Sequence, residues 1–382
     1  LSSALIPTGQ AFFGLKAKDP DLAEDDMTRR YLAMSSEVLH QEMFESNFML
    51  HFNETLRSLS VFGTNYLFSE WDAKTGGLNY KDFPIWKGCI KENSKGRVDT
   101  MLMSFAMSAR QAVQEFGREN VSEKLREAAD EPKTCSKKFE FLHYVGPRDD
   151  RNPQLSDSKN MPCQSVYIDV EAKQVVAEGG FEEFPFAVAR WMKRNTEKYG
   201  RGQGTECLAT VRMLQQVMKD FLDLANRYGI PPVEVQEQFE GDVKLYPGAV
   251  NRVQAIGTIK GIDQAVLGNF PICKESLEMI QARVHQAFFR DVFVQLADLS
   301  NRRTAFEVEQ RLREGLRRLA APVARLQSEL LTPVIARSFM ILIRNGRIPA
   351  PPRQLWGRKF GIEYMGQLAL ALRDQQAQGF MQ

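Results

Sequence analysis

The stretch "YGRGQGT", residues 199–205, carries the residue types and spacing that come nearest to known chemistry. Gly200, Gly202 and Gly204 alternate there, and closely spaced glycines allow backbone N–H groups to close on a phosphate. The spacing fails both common nucleotide motifs, because Thr205 takes the place of the last glycine of G-x-G-x-x-G and no Gly-Lys-Ser/Thr follows. The pattern therefore favours a tight turn into a helix over a nucleotide site.

Other reactive residue types are scattered along the chain. The cysteines are odd in number and form no C-x-x-C pair, the histidines form no H-E-x-x-H motif, and no G-x-S-x-G elbow occurs. We therefore expect no catalytic residue, no metal site and no cofactor. The residues concerned are Cys89, Cys135, Cys163, Cys207, Cys273, His40, His51, His143 and His285.

The composition is that of a folded protein with a sizeable core. Its 382 residues are 43% hydrophobic and 26% charged, which is ample for two or more structural regions. The net charge of +2 is far from the dense basic surface of a protein that grips nucleic acid. No apolar run reaches the length of about 18 residues that a membrane span needs, so we expect no membrane partner.

The first half of the chain reads as α+β. Residues 98–117, "VDTMLMSFAMSARQAVQEFG", have a helical period and end at a glycine, the usual residue type at a helix end. Residues 138–145 and 184–192 read as strands, and residues 164–181 read as a hairpin because Val166, Ile168 and Val170 alternate with polar residues.

Helical patterns dominate the second half. The first covers about residues 205–228 with one apolar seam, and the second about residues 274–295. A third begins at a capping box, Thr304 and Glu307, and would extend about 63 Å if it continued unbroken to Asn345.

Two prolines interrupt the third helical pattern. Pro322 and Pro333 each remove a backbone donor and clash with the preceding turn, so we expect kinks near both. Between the first two helices, two short strands flank Pro247 and Gly248 as a turn. A bent helix of this length fits a large assembly better than a small bundle.

Seven segments occur in one order along nearly the whole chain: "LSSALIPTGQAFFGL", "FNETLRSLSVFGTNYLF", "GRVDTM", "FEFLHYVGPRDDRN", "FPFAVARWMKRNTEKYGRGQGTECLATVRMLQ", "VKLYPGAVNRV" and "TAFEVEQRLREGLRRLAAPVARLQSELLTPVIARSFMIL". Together they resemble the portal, or head-to-tail connector, proteins of short-tailed bacteriophages. The order and the two long blocks make the resemblance specific. It extends over nearly the whole chain.

The resemblance implies an α+β, mainly helical portal fold with wing, stem and clip regions, assembled as a ring. It divides the chain as follows: residues 1–204 as wing, 205–229 as stem helix one, 230–273 as clip, 274–296 as stem helix two, 297–303 as tunnel loop, 304–346 as a long kinked wing helix, and 347–382 as a wing strand and the start of a crown.

The function implied is that of a closed ring, usually a dodecamer, at one capsid vertex. Double-stranded DNA would be packaged and ejected through it, and the tail would attach to it, without enzymatic activity. The partners implied are further copies of the chain, the DNA, a tail adaptor protein, the terminase packaging motor, and the major capsid protein and scaffold. The ring would assemble in the host cytoplasm and remain in the virion.

The resemblance also implies three sets of site residues. The tunnel loop would present Asn301, Arg302 and Arg303 to the DNA. The clip would meet the tail adaptor through Val243, Leu245, Tyr246, Pro247, Gly248 and Val250. The turn from wing to stem would contain Tyr199, Gly200, Gly202 and Gly204.

Two other functions stay open on the residues alone. One is a nucleotide-dependent enzyme that uses the loop from Gly200 to Thr205. The other is a helical scaffold protein without a channel.

The tunnel loop generates a first prediction. In a ring, Arg302 and Arg303 would repeat as a belt of positive charge that makes weak phosphate contacts without reading bases. Changing both residues to Ala should leave ring assembly intact and alter DNA translocation or retention, and changing both to Glu should do more harm because like charges repel. The measurement is packaged DNA length per particle beside ring assembly. A double Glu variant that packages and retains DNA like the parent contradicts this role.

Overall fold

The structure is a computed structural model that describes residues 2–7, 10–152, 154–155, 157–229, 233–235, 242, 259–261, 270–298, 318–358, 360–366 and 369. The chain divides into two compact units. The first comprises the described residues within Leu1–Thr205 and Ser300–Gln382, and the second those within Glu206–Leu299.

The described residues contain both helices and antiparallel sheets, as expected for an α+β protein. The helices are α1 (Ser2–Leu5), α2 (Pro20–Glu24), α3 (Asp26–Glu45), α4 (Phe48–Phe62), α5 (Ala109–Phe116), α6 (Glu123–Asp130), α7 (Gln203–Glu206), α8 (Leu208–Gly229), α9 (Phe270–Ala287), α10 (Arg290–Asp298) and α11 (Arg318–Arg344). Short 3-10 turns cover Ile85–Lys87, Ser158–Asn160 and Arg353–Leu355.

The strands are β1 (Phe13–Ala17), β2 (Thr64–Asp72), β3 (Gly77–Pro84), β4 (Gly88–Glu92), β5 (Val98–Ser108), β6 (Lys138–Pro147), β7 (Cys163–Asp169), β8 (Gln174–Phe181), β9 (Phe186–Arg190), β10 (Val233–Val235), β11 (Ile259–Gly261) and β12 (Phe360–Tyr364). In the first unit they form sheets in the orders β3-β2-β9, β4-β5-β6-β7-β8 and β1-β12. The predicted strands at β6 and β9 and the predicted β7–β8 hairpin are confirmed.

The core of the first unit lies on one face of the five-stranded sheet. Towards one end of the strands, α5 and α6 cover a buried cluster that includes Phe116 and Phe141. A second cluster joins this sheet to the three-stranded sheet through residues such as Tyr66 and Phe186. Because every second residue of a strand points to the same face, Phe141 of the first cluster and Val145 of the second lie on one face of β6.

The predicted helix at residues 98–117 is wrong for its first eleven residues, which form β5. Met101 and Met103 are buried and Leu102 is exposed, a period of two rather than 3.6. Met, Leu and Ala favour helices, but pairing with β4 and β6 on both sides outweighs that preference here. The helix begins only after the capping box of Ser108 and Gln111.

The long helix α11 is continuous from Arg318, where the described part of the predicted third helix begins. A π-helical turn, Gln327–Leu331, precedes Pro333, and the Thr332 N–H bonds the Gln327 carbonyl. Since Pro333 has no N–H to donate, the wider turn absorbs the missing hydrogen bond within the helix. Whether either proline bends the helix axis stays a prediction.

Among the described helices, α11 alone is long and apolar enough to cross a membrane by length and composition, which the sequence analysis did not expect. Over half of its apolar stretch, 56%, is buried inside the protein. Its apolar face packs in the core of the first unit, where Ile335, Phe339 and Leu342 are buried. Burial within the fold therefore accounts for its composition.

The second unit is built on α8, α9 and α10. The predicted seam on α8 is confirmed as its less exposed face, since Cys207 is buried and the next five seam residues are partly buried: Val211, Leu214, Met218, Phe221 and Ala225. The face of α9 around Ile280 packs against α8. The short strands β10 and β11 pair antiparallel.

The predicted second helix differs from the structure in its start and its continuity. It begins at Phe270, and it breaks at Phe288 and Phe289 before α10 starts at Arg290. Phe289 adopts a φ of 56°, in the left-handed region that is unfavourable for a bulky residue. Neither glycine nor proline marks this position, so the break carries no sequence signal.

Arg337 generates a prediction about the packing of α11. Its buried guanidinium donates to the backbone carbonyls of Ser69 and Glu183, both at 2.9 Å. Arg337→Met should lower the free energy of unfolding by about 2–3 kcal/mol, because two carbonyl groups lose their donor. Urea unfolding, monitored by tryptophan fluorescence, measures this free energy.

The matched control is Arg344→Met. Arg344 also pairs with the Glu183 carboxylate, but its side chain is more exposed. Arg344→Met should lower the free energy of unfolding by less than about 1 kcal/mol. Equal effects of the two substitutions would contradict the role given to the buried Arg337.

Candidate functional site

Of the predicted site residues, the structure describes those of the glycine turn: Tyr199, Gly200, Gly202 and Gly204. The remaining predicted site residues lie outside the described residues. They are the tunnel-loop residues Asn301, Arg302 and Arg303 and the clip residues Val243, Leu245, Tyr246, Pro247, Gly248 and Val250.

The glycine turn packs backbone against backbone on the C-terminal end of α4. A Cβ added at Gly200 would lie 2.4 Å from the Gly63 carbonyl oxygen, and one at Gly202 would lie 2.6 Å from the Gly63 nitrogen. A Cβ at Gly204 would lie 2.8 Å from the Val61 carbonyl oxygen. All three distances are shorter than side chains tolerate, so close approach explains the three glycines.

Gly63 is the partner on the other side of this contact. It ends α4 with a φ of 85°, a conformation that favours glycine. A Cβ added at Gly63 would lie 2.1 Å from backbone atoms of Arg201 and Gly202. The contact therefore requires glycine on both segments.

Backbone groups of the turn are already engaged. Gly200 donates its N–H to the Thr64 hydroxyl at 2.8 Å, and Arg201 donates its N–H to the Met192 carbonyl at 2.7 Å. The turn also faces the C-terminal end of α4, where helix carbonyls carry partial negative charge. These features fit a packed turn and disfavour a phosphate site.

Tyr199 anchors the turn to the five-stranded sheet. Its ring packs against the buried cluster around Tyr66, and its hydroxyl accepts a hydrogen bond from the Ile90 N–H at 3.2 Å. Burial raises the pKa of Tyr199 above its ordinary value. The phenol therefore stays neutral and acts as a positioning group.

An open groove of about 610 Å³ lies beside the turn. One of its two cationic residues, Arg201, forms hydrogen bonds of 2.9 and 2.6 Å with the Glu197 carboxylate, which offsets positive charge that an anion would need. The groove is lined by Thr196, Glu197, Lys198, Tyr199, Gly200, Arg201 and Thr205.

A charged cluster next to the turn was missed by sequence reasoning. Arg190, at the end of β9, donates to both carboxylate oxygens of Glu329 at 2.9 and 2.7 Å and also bonds Glu92. It donates further to the Lys198 carbonyl at 3.1 Å. The only signal in the sequence is an arginine at the end of an apolar strand, "FAVAR".

The cluster joins three distant segments through one side chain. The Arg190 side chain is only 4% exposed, and its partners lie on β4, on the π turn of α11 and in the glycine turn. Although burial raises the pKa of Glu92, hydrogen bonds from Lys193 and Arg190 outweigh it and keep that pKa below its ordinary value. Glu92 is therefore ionised at neutral pH, with Arg190 and Lys193 as its counter-charges.

Two histidines lie in the core. His143 stacks on Tyr167 with ring centroids 4.0 Å apart, and burial lowers its pKa to about 4. Burial also lowers the pKa of His40, whose Nε2 accepts a hydrogen bond from the Phe12 N–H at 3.2 Å and whose Nδ1 donates to the Ser36 carbonyl at 2.8 Å. Both rings are neutral packing residues at neutral pH. His51, by contrast, lies beside Glu54 and Asp82 and could share a metal ion with them.

Gly202→Ala tests the packed turn. The added methyl group would clash with the backbone of Gly63 and Val61, neither of which can rotate away. We expect the free energy of unfolding to fall by about 3 kcal/mol, as in an overpacked core. The control is Gly179→Ala, where a Cβ meets nothing within 4 Å. Thermal unfolding of both variants checks the difference, and a Gly202→Ala protein as stable as the control would refute the packing argument.

Comparison with known proteins identifies the family. Residues 1–382 match the family described as bacteriophage head to tail connecting protein. The chain is 29% identical over 382 residues to the portal protein of Salmonella phage epsilon15, and the match covers 98% of this chain and 68% of that protein. It is 25% identical over 381 residues to the probable portal protein of Bordetella phage BPP-1, with the same two coverages. The chain therefore belongs to the bacteriophage head-to-tail connector family.

Proposed function

We propose that this chain is the subunit of a portal ring that occupies one capsid vertex and passes double-stranded DNA. The match of the whole chain to the head-to-tail connector family carries the proposal. The two relatives named as portal proteins support it, since each matches 98% of the chain. The ring serves DNA packaging and ejection and holds the tail, and it works as a conduit rather than as an enzyme.

The division into two units supports the proposed regions. The first unit brings residues before Thr205 together with residues after Ser300. The proposed wing requires this, because it consists of residues 1–204 and of the segments from residue 304 onward. The second unit contains α8, α9 and α10, which correspond to the stem helices at 205–229 and 274–296. Residues 230–273 between them form the clip, and 297–303 the tunnel loop.

Exposed apolar residues on the stem helices support assembly with further copies. Leu222 is 54% exposed on α8 and Met279 is 54% exposed on α9, and Leu208, Met213 and Val294 are similarly exposed. Exposed apolar side chains at this density mark protein interfaces when they are contiguous. A ring would bury them between neighbouring stems.

The remaining partners follow from the position at a vertex. The clip residues from Val243 to Val250 meet the tail adaptor, and the wing side meets the major capsid protein and scaffold. The terminase motor docks on the ring during packaging. A net charge of +2 suits the conduit, because a strongly basic channel would retain the DNA that has to pass.

The nucleotide-dependent enzyme is the weaker candidate. The glycines that suggested it pack on the end of α4, and Gly200 donates its N–H to Thr64. Micromolar ATP or NAD affinity of the purified chain would restore that candidate. A helical scaffold without a channel would show particles that are not rings.

Negative-stain images and native mass of the purified chain test the proposal together. We expect closed rings of a single size, and a 43.5 kDa monomer at micromolar concentration would overturn the proposal. Leu222→Glu should shift rings toward monomers, because a charge would be buried between stems. Gln216→Glu adds the same charge at an exposed polar position about 120° around α8 from Leu222 and is the control. Rings that tolerate Leu222→Glu as well as Gln216→Glu would argue against a stem interface at Leu222.

A further inference from the structure

Three side chains at the junction of α4 and β3 converge on one point. His51 and Glu54 lie on one face of α4, and Asp82 lies on β3 beside them. The His51 Nδ1 atom is 2.9 Å from an Asp82 carboxylate oxygen and 3.4 Å from a Glu54 carboxylate oxygen. One ligand atom from each residue lies within 4.8 Å of the other two.

These separations match those of ligands around a shared ion. Nitrogen and oxygen ligands lie about 2.1 Å from a bound divalent transition-metal ion, which places neighbouring ligand atoms about 3.0 Å apart at right angles and about 3.4 Å apart at tetrahedral angles. The two distances measured from His51 Nδ1 fall at these values.

The charges of the cluster also favour a cation. Among the described residues, the ion pairs of Glu54 and Asp82 involve His51 and neither lysine nor arginine. The Asp82 side chain is only 17% exposed.

Neighbouring contacts hold the ligands in place. Asn47, just before α4, accepts a hydrogen bond from the Tyr80 N–H at 2.8 Å and donates one to the Tyr80 carbonyl at 3.0 Å. Phe48 packs on the Tyr80 ring with centroids 5.1 Å apart, and both side chains are buried. The helix and the strand that supply the ligands are thus fixed against each other, which lowers the entropic cost of binding.

We propose that His51, Glu54 and Asp82 bind one divalent transition-metal ion, which ties α4 to β3. One imidazole nitrogen with two carboxylate oxygens suits Zn²⁺, whereas Mg²⁺ prefers an all-oxygen set. The ion would take the place of the proton that His51 Nδ1 shares with Asp82, and that proton would leave to solvent. Water would complete the coordination on the side of Glu54, whose side chain is 52% exposed.

Zinc titration of the full chain, first stripped of metal with a chelator, tests the site. The parent should bind one Zn²⁺ per chain by calorimetry and should unfold at a higher temperature with zinc than without it. X-ray absorption of the zinc-loaded protein should show one imidazole with oxygen ligands and no sulfur. A parent that binds no Zn²⁺, or binds it through sulfur, would overturn the proposal.

Isosteric variants locate the site. Asp82→Asn and Glu54→Gln should each weaken Zn²⁺ binding at least about tenfold and should abolish the zinc-dependent rise in unfolding temperature. Glu54 is exposed, so its variant tests the site even if Asp82→Asn fails to fold. His285→Gln removes an exposed histidine of α9 and should bind Zn²⁺ like the parent. Equal binding by Glu54→Gln and the parent, or loss of binding in His285→Gln, would refute the assignment.

Discussion

The contact between the end of α4 and the glycine turn is the constraint on which the path of the chain depends. Two backbones approach so closely at Gly63, Gly200 and Gly202 that no side chain fits between them. The turn carries the chain from β9 toward α7 and α8, so the contact fixes where the first unit ends. Glycine loses more conformational entropy on folding than other residues do. Glycines on both sides of the contact therefore make this short, defined connection costly in entropy.

Buried arginines bind the layers of the first unit around that contact. Arg190 lies directly beside Gly200 and pairs with Glu92 and Glu329, and Arg337 donates to backbone carbonyls of two further segments. Each guanidinium offers several donors in a rigid plane, so one side chain can satisfy segments that are far apart in sequence. The long helix α11 is thereby attached to both sheets by charge as well as by apolar packing. Polar contacts between segments far apart in the sequence thus help to hold the first unit together.

Among the described residues, several side chains of types that often react are instead engaged in packing or in ion pairs. The histidines His40 and His143 are buried and neutral, Tyr199 is held neutral by burial, and Arg201 is paired with Glu197. These groups stabilise and position the chain. The chain that they position belongs to the bacteriophage head-to-tail connector family.

The sequence by itself determined the features that depend on neighbours along the chain. Alternation of apolar residues predicted β6 and the β7–β8 hairpin, and the spacing of Gly200, Gly202 and Gly204 predicted a turn. The order of its motifs pointed to the portal family. Tertiary structure alone decided that Val98–Ser108 is a strand, since pairing on both sides outweighed its helical composition. It also decided that Val61–Gly63 meets the glycines, that Arg190 meets Glu329, and that Asp82 lies beside His51 and Glu54. Local patterns reflect the preferences of adjacent residues. Contacts between segments far apart in the chain depend on how those segments pack, because the spacing of residues within one segment does not specify its partner segment.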